Sequence, residues 1–410
     1  MKKSPQYILH IGSVKINCLK IISAEDNSLK IAAYSTCPAD GFDRGAVKDL
    51  SRAAESLTQV LKRVLEGESE SMIRARVVIS HPFVKNFIFG SSLYFYGNPH
   101  AITIKDIREV IAQTRSVATI PLNEMIIQSV PQEFLVNDLH GIANPTGLEA
   151  TRLGVTLRLF TMDYTICNNL LRVMERCDVD VIDFIPVSLA AGHGVLTREE
   201  KEEGVLLVDV GGYSIRLDSY RKSILTDSRT IEFGCERIID AIATQLNLKS
   251  EHARQLMEFY CSASEKDQFS DELVPIKNSD GAEIQHIKRK RLSEVSNQPI
   301  AELRDRLIEA INQSVSQTAP LSQIVFTGGG SRLDGLLDVI QDKVPQSVRL
   351  GVPRNHSNIP QKLNDAAFSD LIGAIDYTSQ VRDPELYAAP IQNAFARALS
   401  SAKRMVSEYF

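Results

Sequence analysis

One short pattern constrains the fold of this chain most, because it occurs twice, in residues 7–13 and again in residues 206–212. In both places an apolar run is followed by one polar residue, one more apolar residue and a glycine. A second alternating run follows each glycine, in residues 15–22 and 215–220. Alternation on both sides of a glycine turn is typical of a β-hairpin. The sequence therefore predicts two similar hairpins in two separate parts of the chain.

A third glycine-rich turn follows a later apolar run. Residues 324–327 are predicted strand, three glycines follow, and a helix is predicted from near Leu333. Glycine lets the backbone approach a phosphate closely and point N–H groups at it. One such turn alone is usually only a loop, but three in this order resemble the two-lobed ATP clamp of the actin, Hsp70 and sugar-kinase superfamily. The candidate nucleotide-binding residues are Gly12, Ser13, Lys15, Asp209, Gly211, Gly212, Ser214, Gly328, Gly329 and Gly330.

Composition limits the classes of partner. The 410 residues are 43% apolar, which suits a globular chain of several domains, and the net charge of -5 gives no reason to expect nucleic acid. Six scattered cysteines lack metal-ligand spacing, and the first predicted strand follows a short polar stretch without a signal-peptide core. We expect no metal site built from cysteines and a reducing, cytosolic compartment. No apolar run approaches the roughly 18 residues of a spanning helix, so any membrane contact should be peripheral.

Between the hairpins, residues 83–161 have their own organisation, with apolar strands and a helix predicted to be opened by Thr103, with Asp106 three residues later. This segment looks like an inserted domain. After the second hairpin, residues 230–310 are predicted to be helical and charged, with a polar loop over residues 262–283 and a helix over residues 300–315.

Five stretches make the resemblance more specific. They are GFDRGAV (41–47), ITIKDI (102–107), VPQEF (130–134), NPTGL (144–148) and VLT (195–197). With them, the chain resembles the FtsA family of bacterial cell-division proteins, actin-like adaptors that tether the tubulin-like protein FtsZ to the membrane. The inserted segment also lies where FtsA carries its extra domain, between the two parts of the first lobe, whereas actin places its own earlier.

This resemblance implies an α/β, actin-like, two-lobed fold of ribonuclease-H-like halves with an inserted FtsA-type domain and a C-terminal amphipathic helix. It implies a scaffold on the cytoplasmic side of the cell membrane that self-associates at the division site. The implied divisions are 1–82 with 162–196 (subdomain 1A, closed by a helix near 370–380), 83–161 (1C), 197–229 with 311–369 (2A), 230–310 (2B), 381–390 (linker) and 391–410 (membrane-targeting helix).

The resemblance also implies partners. Residues 230–310 would bind the C-terminal peptide of FtsZ, and residues 83–161 would contact other division proteins. The basic run at residues 288–291 is usually only a solvated surface; here it would border the acidic peptide. Candidate contacts are Lys288, Arg289, Arg291 and Arg304.

The last residues form an amphipathic pattern. On a helical wheel, apolar side chains share one arc and basic residues flank it, which favours binding in the plane of an anionic membrane surface. The alternative is a terminal helix packed on its own protein. The candidate membrane contacts are Phe395, Leu399, Ala402, Met405, Val406, Tyr409 and Phe410, with Arg397, Lys403 and Arg404 as cations.

Several positions depart from the family's nucleotide pattern. The family implies ATP with Mg²⁺, but His10 stands where an acidic residue helps hold the metal, and Mg²⁺ prefers oxygen ligands. Tyr213 replaces a turn glycine, where its ring could fill phosphate space and a positive φ would cost about 1 kcal/mol. Arg216 replaces an aspartate, and Arg254 and Met257 replace the Glu and Lys near the adenosine. These residues are compatible with binding of ATP but not with efficient hydrolysis, so the chain is at most a weak ATPase.

Three other functions share the clamp. A sugar or acetate kinase needs a catalytic carboxylate facing the γ-phosphate, and only Asp209 is a candidate. An Hsp70-like chaperone needs a long substrate-binding region after the clamp. A pilus-assembly adaptor shares the inserted domain but, as a rule, has no amphipathic tail, and it is the runner-up.

Overall fold

The computed structural model describes residues 5–23, 29–66, 72–264, 271–277, 284–317, 321–354 and 359–380. The predicted linker and membrane helix, residues 381–410, lie outside the described residues. The strands, in chain order, are β1 (Gln6–Ile11), β2 (Lys15–Ser23), β3 (Leu29–Pro38), β4 (Phe42–Asp43), β5 (Ala46–Val47), β6 (Ile73–Ile79), β7 (Lys85–Tyr94), β8 (His100–Ala101), β9 (Glu124–Val136), β10 (Leu139–Ile142), β11 (Glu149–Ala150), β12 (Arg152–Asp163), β13 (Val179–Pro186), β14 (Val205–Val210), β15 (Ile215–Arg221), β16 (Ile224–Ile231), β17 (Leu273–Lys277), β18 (Ile284–Lys288), β19 (Gln323–Thr327) and β20 (Ser347–Leu350).

The helices are α1 (Leu50–Val64), α2 (Ile104–Val117), α3 (Tyr164–Arg176), α4 (Val187–Val195), α5 (Arg198–Glu203), α6 (Glu236–Leu246), α7 (Ser250–Tyr260), α8 (Arg289–Gln317), α9 (Leu336–Gln341) and α10 (Ser369–Gln380). Short 3-10 helices cover Gly329–Arg332, Gln361–Leu363 and Ala366–Phe368. Among the described helices, none combines the length and the apolar character that crossing a bilayer requires.

Two five-stranded sheets of the same design form the two lobes. The first has the order β13-β6-β1-β2-β3 and the second the order β20-β19-β14-β15-β16. In each, a central strand pairs antiparallel with the next strand and parallel with a strand from later in the chain. The two predicted hairpins, β1–β2 and β14–β15, therefore occupy equivalent places in the two sheets, and the actin-like fold is confirmed.

Both central strands are buried on their two faces. Tyr7, Ile8 and Leu9 in β1, and Leu206, Leu207 and Val208 in β14, are all buried. A strand covered on both sides reads as a nearly continuous apolar run, because neither face meets water. The helices α1 and α3 cover the first sheet, and the helical part of the second lobe packs on the second sheet.

The inserted segment forms a separate sheet, β10-β9-β12-β7, with its own apolar core and α2 packed against it. Thr103 and Asp106 form the predicted capping box at the start of α2. The long strand β12 carries Arg158, which is buried and donates to the backbone carbonyls of Leu225 (3.1 Å) and Thr226 (2.8 Å) in the second lobe. The inserted domain therefore contacts both lobes.

Two helices cross closely next to the cleft between the lobes. A Cβ placed on Gly373 of α10 would lie 1.9 Å from the carbonyl oxygen of Ala190 in α4. One placed on Gly194 of α4 would lie 2.3 Å from the carbonyl oxygen of Ser369. Both positions must be glycine because the backbones of the two helices touch there. The crossing therefore sets the position in space of the first turn of α10.

The segment predicted as helical, residues 230–310, differs from the prediction in two respects. Strands β17 and β18 pair as a hairpin, and part of it lies where a polar loop was predicted. The helix predicted over residues 300–315 begins earlier, at Arg289, and continues through Pro299 and past residue 310 to Gln317. The basic run at residues 288–291 therefore lies at a strand-to-helix junction.

Candidate nucleotide-binding site

All ten predicted nucleotide-binding residues line a single cleft between the lobes, with a volume of about 280 Å³. The first hairpin contributes Gly12, Ser13 and Lys15 from one side. The second hairpin contributes Asp209, Gly211, Gly212 and Ser214 from the other, and the third turn contributes Gly328–Gly330. The volume is near the lower end for small-molecule sites.

The two hairpin turns have the same geometry. The Gly12 N–H donates to the Lys15 carbonyl at 3.1 Å, and the Gly211 N–H donates to the Ser214 carbonyl at 2.9 Å. A Cβ on Gly12 would lie 2.8 Å from the Lys15 oxygen, and one on Gly211 would lie 3.0 Å from the Ser214 oxygen. Any side chain would force these turns open, which explains both glycines.

The three glycines of the third turn have different roles. Gly328 has a φ of 83°, and a Cβ there would lie 2.2 Å from Asp209 Oδ1. A Cβ on Gly330 would lie 2.4 Å from Cys235 Sγ, whereas one on Gly329 would meet nothing closer than the Ala367 Cβ at 3.8 Å. Gly328 and Gly330 therefore allow packing on the second lobe, and Gly329 leaves open space in the cleft. The helix that follows begins at Leu336, not near Leu333, because the chain first forms the 3-10 helix Gly329–Arg332.

Two carboxylates of the cleft each lie close to a basic side chain. Arg216 lies opposite Asp209 in the β14–β15 register, with Nη1 3.9 Å from Asp209 Oδ2. His10 Nε2 lies 3.1 Å from Oδ2 of Asp370 on α10, an ion-pair distance without hydrogen-bond alignment. The sequence placed bases at positions 10 and 216; it did not show that they reach two carboxylates of the same cleft.

Burial changes the chemistry of Asp209. It raises the pKa of this carboxyl to about 6, against the opposing effect of the Arg216 charge, and Asp370 raises it further. A carboxyl with this pKa is partly protonated in mildly acidic solution. Burial therefore makes the ionised form of Asp209 less favourable than that of an ordinary carboxyl, and the Arg216 charge offsets part of this effect.

Arg216 also belongs to a charged cluster behind the cleft. Its neighbours include Asp218 on the same strand, which Arg158 of the inserted domain also faces, and His81. Burial, with the Arg216 charge, lowers the pKa of His81 to about 4, so the imidazole is neutral at ordinary pH. The cluster connects the cleft with the contact between the inserted domain and the second lobe.

The expectation for Tyr213 was wrong. Its backbone φ is not positive, and its ring lies beneath the Arg44 guanidinium at 5.5 Å from the centroid. Tyr213 is not among the described residues that line the cleft. The hairpin turn directs this side chain away from the phosphate space, so it neither strains the turn nor fills the cleft.

Other cleft residues were not predicted as ligands. Arg254 pairs with Glu236 at 2.7 Å, and Arg332 pairs with Asp365 at 3.5 Å. In the described part of the chain no ion pair involves Lys15. Asp370 was missed because it lies far along the chain from His10, whereas the Asp209–Arg216 pair follows from the hairpin register and could have been predicted.

The four candidate peptide-binding cations all have carboxylate partners within the chain. Lys288 pairs with Asp271 at 2.9 Å and Arg289 with Glu272 at 2.9 Å. Arg291 pairs with Glu294 at 3.1 Å. The last, Arg304, lies near Asp305 at 3.3 Å, and along α8 it is about 20 Å from Arg291 at 1.5 Å per residue. Three of the four therefore share one junction, and Arg304 lies apart.

The sheets, the cleft and the inserted domain define the class of protein: an actin-like, two-lobed clamp. Solved structures of this class include the PilM-PilN type IV pilus biogenesis complex, with TM-score 0.61 and 14% identity, covering 92% of this chain and 98% of that one. MreB5 of Spiroplasma citri bound to ADP has TM-score 0.51 and 11% identity, covering 93% of this chain and 98% of that one. At such identity the likeness shows the fold alone.

The chain belongs to the FtsA family of cell-division proteins. The family model "Cell division protein FtsA" matches residues 206–391, and that of the SHS2 domain inserted in FtsA matches residues 93–161. Together they match more than half of the chain. FtsA of Pseudomonas aeruginosa is 24% identical over 379 residues, covering 91% of this chain and 88% of that protein. FtsA of Escherichia coli K12 is 25% identical over 383 residues, covering 90% and 89%, and that of Bacillus subtilis is 25% identical over 341 residues, covering 82% and 76%.

Proposed function

We propose that this protein is an actin-like cell-division scaffold that tethers FtsZ filaments to the inner face of the cytoplasmic membrane. The observation that carries the proposal is the match to both FtsA models, one on the inserted domain and one on the second lobe. The scaffold self-associates at the division site, and the inserted domain, residues 83–161, offers a surface to other division proteins.

The membrane anchor in this proposal is the amphipathic segment of residues 391–410. Each Lys or Arg near an anionic leaflet contributes about 1 kcal/mol, and burial of the large apolar side chains adds a few more. A single subunit therefore binds modestly. A polymer that presents many such segments gains avidity, which makes self-association part of tethering.

Sedimentation with anionic liposomes tests the anchor. The full chain should pellet with the vesicles, whereas deletion of residues 394–410, or Leu399→Asp with Val406→Asp, should leave it in the supernatant because the apolar arc is lost. A matched control is Ser400→Asp with Ser401→Asp, which places the same two charges on the polar side. Equal pelleting of the truncated and full chains would show that the membrane site lies elsewhere.

The FtsZ peptide would bind at the junction of β18 and α8. Phe259, at the end of α7, is 71% exposed, and Arg289 donates to the backbone carbonyl of the neighbouring Tyr260. An exposed aromatic side chain beside several cations suits a short peptide with apolar and acidic residues. The exposed ion pairs there are weak, about 0–1 kcal/mol each, so a peptide carboxylate can replace the internal partner.

We also propose that the cleft binds an adenine nucleotide without efficient hydrolysis. Three glycine turns surround the cleft, and Arg216 holds the carboxylate that a kinase or ATPase would use. We expect slow phosphate release from ATP; a rate like that of an active Hsp70 would contradict this. The pilus adaptor is not retained, since its likeness to this chain concerns the fold alone, whereas the matching family models are those of FtsA.

A further inference from the structure

Two of the carboxylates that line the cleft, Asp209 and Asp370, each face a basic side chain. Asp209 Oδ1 lies against the Gly328 backbone, where even a Cβ would come within 2.2 Å, and Oδ2 faces Arg216. Asp370 Oδ1 accepts the Leu371 N–H at 2.6 Å, and Oδ2 faces His10.

The bases cannot readily move aside. The Arg216 residue is 4% exposed, and cross-strand pairing in β14–β15 fixes its position opposite Asp209. Its departure would leave a carboxylate largely removed from water and without its partner, which is costly. The His10 side chain is 12% exposed and is held at Nδ1 by Asn17, at 3.5 Å. A divalent ion would have to displace the His10 ring and compete with the Arg216 charge, and both groups are part of the fold. The residues present therefore do not fit Mg²⁺.

Arg216, Lys15 and Arg332 supply charge that favours phosphate. Unit charges a few ångströms apart interact strongly at a protein surface, because water screens them only in part. Lys15 and Arg332 line the cleft itself. Arg216 lies directly behind Asp209 and offsets the charge of that carboxylate. The cleft thus has fixed cations next to the carboxylates that could otherwise hold a metal.

We propose that this cleft binds the phosphates of a nucleoside di- or triphosphate without a divalent cation. The charges of Lys15, Arg332 and the underlying Arg216 take the place of the metal's charge, and His10 occupies the side of Asp370 that a metal would need. This rests on the proposed binding of a nucleotide. It also gives a reason for slow hydrolysis, because the fixed bases orient neither a metal nor an attacking water.

Binding of the fluorescent nucleotide mant-ATP to the full-length protein tests the inference, measured in excess Mg²⁺ and in excess EDTA. The two dissociation constants should agree within about threefold, less than 1 kcal/mol. A loss of about tenfold or more in EDTA would overturn the inference and leave nucleotide binding intact. Absence of binding in both conditions would overturn the inference together with the proposed nucleotide site, while the tethering proposal, which liposomes test, would stand.

Exchanging the bases for acids tests the residues. His10→Asp combined with Arg216→Asp should make mant-ATP bind about tenfold more tightly in Mg²⁺ than in EDTA. The matched control, Arg216→Lys, keeps the charge and should show no preference for Mg²⁺. If the double variant does not fold, His10→Asp alone, which frees Asp370, should show the same change to a smaller extent. Folded variants without any gain in Mg²⁺ preference would contradict the assigned role of these bases.

Binding of Mn²⁺ to the unaltered protein gives a test that does not depend on a variant. Mn²⁺ titration followed by electron paramagnetic resonance should show no bound Mn²⁺ in the cleft. Binding of Mn²⁺ that Asp209→Asn or Asp370→Asn abolishes would overturn the inference, because it would show that these carboxylates are available to a metal.

Discussion

At the scale of single residues, Arg216 and Asp218 carry the chemistry that distinguishes this cleft. They lie two positions apart on β15, so their side chains point to the same face of the sheet. Arg216 reaches towards Asp209 at the cleft, and Asp218 is faced by Arg158 of the inserted domain. A change at either residue alters the balance of buried charge over both lobes.

Asp218 should give folding stability a measurable pH dependence. Burial raises the pKa of its carboxyl to about 7, so the folded state binds the proton more tightly than the unfolded chain. Its contribution to stability is therefore complete below about pH 4 and is lost as pH rises to about 7. Asp218→Asn should remove this loss of stability, which amounts to at most about 4 kcal/mol in the free energy of unfolding.

Urea unfolding at several pH values between about 4 and 8 measures this effect. The free energy of unfolding of the variant, relative to the unaltered protein, should increase with pH. Asp338→Asn, on the exposed side of α9, is the control and should leave the difference constant. A constant difference for Asp218→Asn as well would show that this carboxyl ionises freely in the fold.

At the scale of secondary-structure elements, the crossing of α4 and α10 should be the least tolerant of added volume. Gly373→Ala places a Cβ 1.9 Å from the Ala190 carbonyl oxygen, so the helices must separate, at a cost of about 1–3 kcal/mol. Gly329→Ala is the matched control, with its nearest contact at 3.8 Å, and should change stability by less than about 0.5 kcal/mol. Chemical denaturation compares them; equal stabilities would mean that the crossing adjusts without strain.

The junction of β18 and α8 provides a second test at this scale. Arg289→Glu with Arg291→Glu should weaken binding of a labelled FtsZ tail peptide, most strongly at low salt, because surface charges act mainly through long-range attraction. Arg304→Glu is the control, since this residue lies apart on α8. Circular dichroism must first show intact folding, because Arg289 also bonds Tyr260 and Glu272. Equal peptide affinity in all variants would remove the junction from the site.

The sequence predicted those secondary-structure elements whose formation depends mainly on residues close together in the chain. The two hairpins and the α2 capping box follow from alternation, glycine placement and spacing. The β17–β18 hairpin and the early start of α8 did not, because polar, charged residues hide the short strands and α8 continues through Pro299, a residue that helix interiors usually exclude. The His10–Asp370 contact was beyond prediction, since only the tertiary fold brings α10 to β1. The direction of the Tyr213 ring likewise depends on Arg44.

At the scale of the whole molecule, two sheets of one design enclose the cleft, and the inserted domain is bonded to the second lobe through Arg158. This arrangement separates the cleft proposed for the nucleotide from the β18–α8 junction proposed for the FtsZ peptide. In the proposed function, this body and the terminal segment hold a filament at a membrane without catalysing a reaction. Tethering therefore requires binding at two sites at once, and either site alone is insufficient.

Sedimentation of FtsZ filaments with anionic liposomes measures the proposed tethering directly. FtsZ should pellet with the vesicles when the full-length protein is present, and stay unattached when the protein is omitted or lacks residues 391–410. The Arg289→Glu, Arg291→Glu variant should itself pellet but bring down less FtsZ. Equal recovery of FtsZ with the full-length and truncated proteins, or no recovery with either, would contradict a tether built from this chain.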